Sequence, residues 1–351
     1  MRLNDMPLYT VESVLQGHPD KICDQISDAI LDAYLEKDKD SCVAIECLGC
    51  GNNLIIAGEV SDLNLIDIEN VANDTYLQIG YRDKLKITNL LTEQSNQLNK
   101  AISNGGAGDQ GIMYGYAINN EFNYLPYGFY LANMIAKAVD NYRKTVDFLR
   151  PDGKIQITIN QNIIESLVVS IQHIEDISLD YIRYEVARKI LPDYIDSSGV
   201  NIQINENSHF VNGGFSNDTG LTGRKIMVDT YGGLVAHGGG AFSGKDPSKV
   251  DRIGAYMARF VAKNIVANDL AKECQVSVAY TFGDPNPAML SISTEKEENS
   301  SKLSSFIKTQ FDFRPLAIIE RLGLRDVRFL PTASYGHFTN PQYNWEQIIS
   351  L

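Results

Sequence analysis

One order of predicted elements, a helix followed by two apolar strands and a second helix, occurs three times along the chain. Apolar residues at helical spacing, such as Ile22, Ile26 and Ile30, indicate the helices, and short apolar runs indicate the strands. The three copies cover residues 20–37, 42–48, 53–60 and 64–79, then 126–148, 154–160, 163–172 and 179–190, then 247–267, 275–281, 289–294 and 301–309. A repeat of this kind limits the possible folds, because each copy must bury the same apolar faces. It predicts an α+β protein of three similar units.

Each unit needs more than two strands, because a two-stranded sheet is only marginally stable in water. Residues 200–205 and 224–230 are candidate strands for this purpose. We place the N-terminal, central and C-terminal units at residues 1–95, 106–212 and 213–351, and we expect these segments to interleave in space. The stretches 93–106 and 206–220 are polar and rich in Gly and Asn, which predicts long loops of the kind that often carry function.

The charge of the chain limits its partners. Asp and Glu number 44 against 31 Lys and Arg, a formal net charge of −13 at pH 7. An acidic surface repels phosphate backbones, so nucleic acid is a poor candidate partner. No apolar run approaches the length of a membrane span, and the first residues, MRLNDMPLYTVESV, lack the apolar stretch of a signal peptide. The five cysteines, an odd number, do not imply a disulfide framework. We therefore expect a cytoplasmic protein without nucleic-acid or membrane partners.

Cys47 and Cys50 form a CxxC pair. Such a pair can be a redox or metal site, or two half-buried residues of a strand and turn. No second CxxC or nearby histidine completes a zinc site, which favours the structural interpretation.

The segment Gly17-His18-Pro19-Asp20-Lys21 opens the first predicted helix. Proline suits the first helical position, and the free N–H groups of a helix start favour an anion. Within one turn the segment combines a titratable ring, a carboxylate that could bind a metal ion, and a cation. Taken alone, it is equally well interpreted as a polar helix start that caps and solvates itself.

Residues 106–111, Gly-Ala-Gly-Asp-Gln-Gly, match a GxGxxG pattern. A dinucleotide-binding turn of this kind follows a buried strand, whereas the preceding residues 99–104 are polar. We reject that interpretation and retain a tight glycine turn that a ligand could approach closely.

The most informative stretch runs from Gly220 to Arg252. From Leu221 onward it carries five Lys or Arg and three Asp, a local balance of +2 within a chain of −13. Gly239 to Lys245 match GxxxxGK, most of a P-loop, but Asp246 replaces the hydroxyl residue that binds magnesium in a P-loop. We therefore predict a phosphate-binding glycine loop of another kind, suited to ATP with magnesium. A flexible linker would account for the glycines but not for the alternating Lys and Asp.

Five segments of the chain resemble the signature segments of the methionine adenosyltransferase (S-adenosylmethionine synthetase) family, in the family's order. They are GHPDKICDQISDA, GAGDQG, LRPDGK, GLTGRKIMVDTYGG and HGGGAFSGKDPSKVDR. The resemblance covers nearly the whole chain, through RPLAIIERL and SYGHF. It implies a pseudo-threefold α+β fold of three similar α/β-layered units, and a homodimer with active sites shared between its two chains, or a homotetramer.

The resemblance also implies the reaction. The sulfur of L-methionine attacks C5′ of ATP and displaces triphosphate, which is hydrolysed to pyrophosphate and phosphate. The implied cofactors are two Mg²⁺ per site and K⁺. A thioether has no proton to lose, so catalysis must come from alignment and from stabilisation of the leaving group.

Site residues follow from the resemblance position by position. His18 would lie at the leaving O5′, as imidazolium or as a neutral donor. The catalytic and polyphosphate-binding cations would be Lys154, Arg224, Lys225, Lys245 and Lys249. Magnesium would be held by Asp20 and Asp251, and potassium by Glu46. Methionine would be bound by Glu59, Gln94, Asp218 and Lys249, and adenosine by Asp109, Asp152 and Phe210.

The chain departs from the family pattern in three places. Residues 94–105 are shorter than the usual segment, and 96–105 correspond to the family's lid over the active site. His209 replaces an arginine before Phe210, and Phe282 stands where a smaller aliphatic residue is common near the adenine. We expect the shorter lid to change closure and product release, and the changes at 209 and 282 to alter nucleotide affinity or tolerance of ATP analogues.

Two other functions remain as alternatives. The near P-loop could belong to a phosphotransferase or ATPase, which would release ADP. The chain could instead be a non-catalytic family member that regulates a catalytic partner, although a scaffold has no need of the cations that it retains. His173, His237 and His337 are left without a role.

Overall fold

The computed structural model describes residues 7–94, 105–206 and 209–351, without the side chains of 297–302. Its strands are β1 Leu8–Val14, β2 Val43–Cys50, β3 Asn53–Val60, β4 Lys86–Glu93, β5 Gly111–Ile118, β6 Leu149–Asn160, β7 Ile163–His173, β8 Asn201–Ile204, β9 Gly220–Leu221, β10 Glu273–Tyr280 and β11 Met289–Thr294. Its α-helices are α1 Pro19–Lys37, α2 Ile68–Ile79, α3 Tyr127–Arg143, α4 Leu179–Lys189, α5 Ile226–Asp229, α6 Val250–Ala267, α7 Glu297–Gln310 and α8 Pro315–Arg321.

The strands form three sheets, and each sheet takes a strand from a distant part of the chain. The N-terminal sheet has the order β4-β3-β2-β9, the central sheet β1-β6-β7-β8 and the C-terminal sheet β11-β10-β5. Neighbouring strands are antiparallel except for β3 with β4 and β7 with β8. The three sheets confirm the α+β fold of three layered units. The unit boundaries that we place along the chain remain a prediction.

Each sheet is covered by one long buried helix. Helix α1 packs on β2, α3 on β6 and β1, and α6 on β5 and β10. These are the first helices of the three repeated patterns, so the repeat in sequence corresponds to a repeat in packing. Helix α6 is buried from Arg252 to Val266 with no exposed face, which places it in the middle of the molecule.

The structure corrects two expectations about secondary structure. The second long helix ends at Arg143, five residues before the predicted end, and Leu149 already belongs to β6. Residues 224–230 are not a strand: they contain the short helix α5, flanked by Gly223 and Gly232 at φ +79° and +70°. Those backbone angles are open to glycine and cannot continue an extended strand. The other candidate strand, 200–205, is confirmed as β8.

Cys47 and Cys50 lie on opposite faces of β2, the first buried and the second exposed. Successive side chains of a strand alternate between faces, so residues three apart point away from each other. The pair is therefore structural. Among the described residues, no helix combines the length and the apolarity that crossing a membrane requires.

Candidate active site

The start of α1 is held against β6 by a glycine. A Cβ atom added to Gly17 would lie 2.3 Å from the Cβ of Pro151, so only glycine allows this approach. His18 then caps the helix: its Nδ1 accepts a hydrogen bond from the main-chain N–H of Asp20 at 3.2 Å. The approach brings Lys154 of β6 near enough to His18 for its charge to help lower the pKa of the ring.

His18 is a neutral ring in this environment. Burial, followed by the positive charge of Lys225, lowers its pKa to about 3. Since Nδ1 accepts a hydrogen bond, the single proton of the neutral ring belongs on Nε2. The side chain keeps 15% of its surface exposed, so Nε2–H can act as a donor toward a ligand.

Asp20 contacts the two cations of the adjacent segment, Arg224 and Lys225. Its Oδ2 lies 2.7 Å from Nζ of Lys225, and its Oδ1 accepts the main-chain N–H of Leu221 at 3.0 Å. Nε of Arg224 lies 3.4 Å from the same Oδ1. We call His18, Asp20, Lys154, Arg224 and Lys225 the first cluster. With His18 neutral, its three cations face Asp20 and also Glu12, whose Oε2 lies 3.2 Å from Nζ of Lys154, which leaves a surplus of one positive charge for an anionic ligand.

A second cluster comprises Lys245, Asp246, Lys249 and Asp251. Nζ of Lys245 lies 2.8 Å from Oδ2 of Asp251. The Lys249 ammonium is buried, 3.5 Å from Oδ2 of Asp246, and donates no hydrogen bond to any of the residues described. A buried ammonium without hydrogen bonds is costly, which points to a ligand for it.

The glycine loop before this cluster is not a P-loop. Asp246 is buried and accepts the main-chain N–H groups of Val43 and Ser248, so it has a structural role. Helix α6 begins only at Val250, four residues later. A Cβ on Gly240 would lie 2.1 Å from Oδ1 of Asp251, so the glycine loop passes directly over that carboxylate.

The residues predicted to bind methionine fall in different places. Glu59 is half-buried on β3, and Gln94 follows the parallel strand β4, its main-chain N–H bound to the carbonyl of Val60 at 2.9 Å. Both polar atoms of the buried Gln94 amide are without a partner within the described part of the chain. Asp218 is instead exposed. Its charge helps to raise the pKa of Asp152, which also senses the charge of Lys154, so Asp218 lies on the side of the first cluster.

Of the residues predicted to bind adenosine, Asp152 and Phe210 lie on neighbouring segments, because Gln172 forms hydrogen bonds with the main chain of Asp152 and of Val211, whereas Asp109 belongs to another turn. Burial raises the pKa of Asp152 to about 6, and its Oδ2 accepts the main-chain N–H of Gly214 at 2.8 Å. Phe210 is held by His173, whose Nε2 accepts its main-chain N–H at 3.0 Å. Asp109 is exposed in the turn whose Ala107 forms an isolated bridge with Phe282.

The carboxylates fit magnesium only if the substrate supplies most of the ligands. No group of three or more His, Cys, Asp or Glu side chains suited to a metal occurs in the described ranges. Asp20 and Asp251 each present one carboxylate among cations, and Mg²⁺ is often held by one or two carboxylates with phosphates and water. Glu46 is exposed on β2 and would need further oxygens to hold K⁺.

Several residues that shape the site carried no role in the sequence analysis. Lys21 is fully buried and pairs with Asp24 at 2.9 Å and with Asp229. His173 orders Phe210. The sequence signal for Asp24 was an aspartate at every fourth position from Asp20 to Asp32. Residues 96–104 of the predicted lid lie outside the described residues.

Models of three protein domains match the chain in succession. The S-adenosylmethionine synthetase N-terminal domain matches residues 6–103, the central domain 104–213 and the C-terminal domain 212–347. Together they account for nearly the whole chain.

Proposed function

The chain belongs to the S-adenosylmethionine synthetase family and is a methionine adenosyltransferase, and we propose how its residues carry out the reaction. The enzyme forms S-adenosylmethionine from ATP and methionine. In our proposal the methionine sulfur attacks C5′ of ATP, the C5′–O5′ bond breaks, and triphosphate leaves. The triphosphate is then hydrolysed to pyrophosphate and phosphate.

The observation that carries this proposal is the excess of positive charge around a neutral His18. A thioether needs no general base, so the protein must align the reactants and stabilise the charge of the leaving triphosphate. The neutral His18 provides an Nε2–H donor for O5′. The polyphosphate would be bound by Lys154, Arg224, Lys225, Lys245 and Lys249.

Two magnesium ions would be held by Asp20 and Asp251, together with phosphate oxygens. When bound, they neutralise part of the polyphosphate charge. Asp20 and Asp251 now contact Lys225 and Lys245, so each lysine would turn to a phosphate oxygen when its carboxylate binds a metal. We retain Glu46 as the candidate potassium ligand.

The ends of the two substrates would be bound by groups around these clusters. The partnerless Gln94 amide and Lys249 ammonium suit the charged end of methionine, with Glu59 and Asp218 as further contacts. Asp109, Asp152 and the aromatic ring of Phe210 would contact adenosine.

We further propose that two chains associate through the outer face of the N-terminal sheet and share their sites. Leu48 lies opposite Ile55 across the β2–β3 pair, and Leu90 on β4 lies opposite Ala57. All three large side chains are exposed, Leu90 by 57%. An apolar patch of this kind on a sheet is typical of an interface. This surface is consistent with a homodimer or with a homotetramer of two dimers, and we retain the cytoplasm as the proposed location.

The test uses ATP labelled with ¹⁸O at the bridging 5′ oxygen, with methionine, Mg²⁺ and K⁺. The expected products are S-adenosylmethionine, pyrophosphate and phosphate, with the label in the inorganic products because the C5′–O5′ bond breaks. ADP would support a phosphotransferase, and the absence of methionine-dependent turnover would support a regulatory subunit. Light scattering tests association, with Leu90→Lys as the disruptive variant.

A further inference from the structure

Four aspartates on α1, spaced four residues apart, hold three loop segments by their main-chain N–H groups. They are Asp20, Asp24, Asp28 and Asp32, and the spacing places them on one face of the helix. Like charges four residues apart destabilise a helix, so donors outside the helix must stabilise this row. We call the row the aspartate ladder.

The first two steps of the ladder hold the segment that carries Arg224 and Lys225. Asp20 accepts the N–H of Leu221 at 3.0 Å, and Asp24 accepts the N–H of Gly223 at 2.9 Å. Between them, Oγ1 of Thr222 lies 2.8 Å from Oγ of Ser27. Lys21 links Asp24 to Asp229 at the end of α5, so this segment is fixed to α1 at both ends.

The third step holds the segment that carries Lys245. Asp28 accepts the N–H of Gly244 at 2.8 Å and forms a paired contact with Arg252 at 2.7 and 2.8 Å. Arg252 in turn donates to the carbonyl of Lys245 at 2.9 Å. Asp28 and Arg252, both fully buried, therefore fix the main chain on either side of the peptide between Gly244 and Lys245.

We propose that Asp24 and Asp28 are positioning residues. They fix the segments that carry Arg224, Lys225 and Lys245 against one rigid helix, α1, for binding of triphosphate. The proposal rests on the proposed function for its substrate. A buried ion pair is by itself weak evidence of a stabilising role. Asp24 accepts the N–H of Gly223 and Asp28 accepts the N–H of Gly244, so each carboxylate fixes one particular loop.

The experiment compares Asp24→Asn and Asp28→Asn with two matched controls. Asp32→Asn alters the same helix and the same kind of bond, because Asp32 accepts the N–H groups of Phe329 and Leu330, a segment without predicted catalytic cations. Glu346→Gln alters a carboxylate that is buried against Arg259, as Asp28 is against Arg252. The measurements are kcat and KM for ATP, binding of inorganic triphosphate by calorimetry, and thermal unfolding.

We expect kcat to fall about 100-fold in Asp24→Asn and Asp28→Asn, the effect of a small misplacement of catalytic groups, and triphosphate binding to weaken at least about tenfold. Both controls should keep kcat within about threefold. Equal losses of kcat in the controls, or unchanged triphosphate binding in Asp24→Asn and Asp28→Asn, would overturn the proposal.

A milder pair of variants covers the case in which the charged variants do not fold. Thr222→Val removes the bonds to Ser27 and to the N–H of Cys47 without changing a charge, and Thr222→Ser keeps both. Triphosphate binding that is weaker in Thr222→Val and restored in Thr222→Ser supports the positioning role. Equal triphosphate binding in both variants contradicts it. Because triphosphate binding does not need turnover, an unmodified chain that makes no S-adenosylmethionine would refute the proposed function and leave this test intact.

Discussion

The ring of His18 accepts the main-chain N–H of Asp20 through Nδ1, and this single bond decides which nitrogen of the ring can serve a substrate. The ring is neutral, because burial and Lys225 lower its pKa to about 3. An imidazolium would have offered both nitrogens as donors and could not have capped α1 in this way.

His18→Asn is therefore expected to lower kcat by about 100-fold, the usual loss when one donor to a developing negative charge is removed, with little change in KM for methionine. In the unmodified enzyme the kcat profile should show no His18 titration between about pH 5 and 8. Nitrogen NMR of the ring should show Nε2–H. A ring that gains a proton near its ordinary pKa of 6.5 would contradict the assignment.

Gly240→Ala should damage the second cluster. The new Cβ would lie 2.1 Å from Oδ1 of Asp251, so the carboxylate or the loop must move and the contact with Lys245 is disturbed. We expect a higher Mg²⁺ requirement and a kcat reduced by about tenfold or more. Gly233→Asn is the control, because among the described residues, its two chain neighbours aside, no heavy atom lies within 4 Å of its Cβ position, and asparagine tolerates its φ of +80°. An equal loss in both variants would refute a specific effect on Asp251.

Gln94→Leu should raise KM for methionine by about 10- to 100-fold, equivalent to the loss of about 1.5–3 kcal/mol for a hydrogen bond to a charged group. KM for ATP should change little. Gln78→Leu, an exposed position on α2, serves as the control. If the two variants have the same KM for methionine, Gln94 is not part of that binding site.

Phe282→Ile and His209→Arg should each change KM for ATP or the range of ATP analogues that the enzyme accepts. Phe282 is 51% exposed and bridges Ala107, two residues before Asp109. Its large ring therefore stands at the turn predicted to contact adenosine. Unchanged nucleotide KM values and analogue scope in both variants would disprove this prediction.

Asp32 should make the fold less stable as the pH rises from about 4 to 6. Burial raises its pKa to about 6 from an ordinary 3.8, so the folded chain binds the proton more tightly than the unfolded chain. The stabilisation is complete below the unfolded pKa and is lost as the pH passes the folded pKa. The free energy of unfolding by urea, unmodified chain minus Asp32→Asn, should fall over this range by up to about 3 kcal/mol. A difference that stays constant with pH would contradict the raised pKa.

The periodicity of the sequence predicted the three long helices and most strands, because their apolar residues recur at the spacing of a helix or a strand. It failed at α5, where the flanking glycines and the pairing of Asp229 with Lys21, 208 residues away, override the local pattern. The partner strands of β1, β5 and β9 could not be predicted either, since a short apolar run does not identify the sheet that it joins.

The site was predicted less completely, because its side chains come from distant parts of the sequence and contact each other only in the folded chain. The cations of residues 220–252 were expected to act as one stretch, yet Lys225 reaches Asp20 whereas Lys245 reaches Asp251. The burial of Lys21 could not be read from its own turn, because its ammonium is stabilised by Asp24 and Asp229 together. The roles assigned to the site residues remain predictions.

The exchange of strands between the three sheets has a consequence for synthesis of the chain on the ribosome. Strand β1 leaves the ribosome early but cannot pair until β6, Leu149–Asn160, has been made, and β5 must wait for β10. The apolar faces of these strands are exposed in the meantime, a state that favours aggregation. A nascent chain that stops before β10 leaves β5 without its neighbour, so the C-terminal sheet reaches its native packing only after β10 has been made.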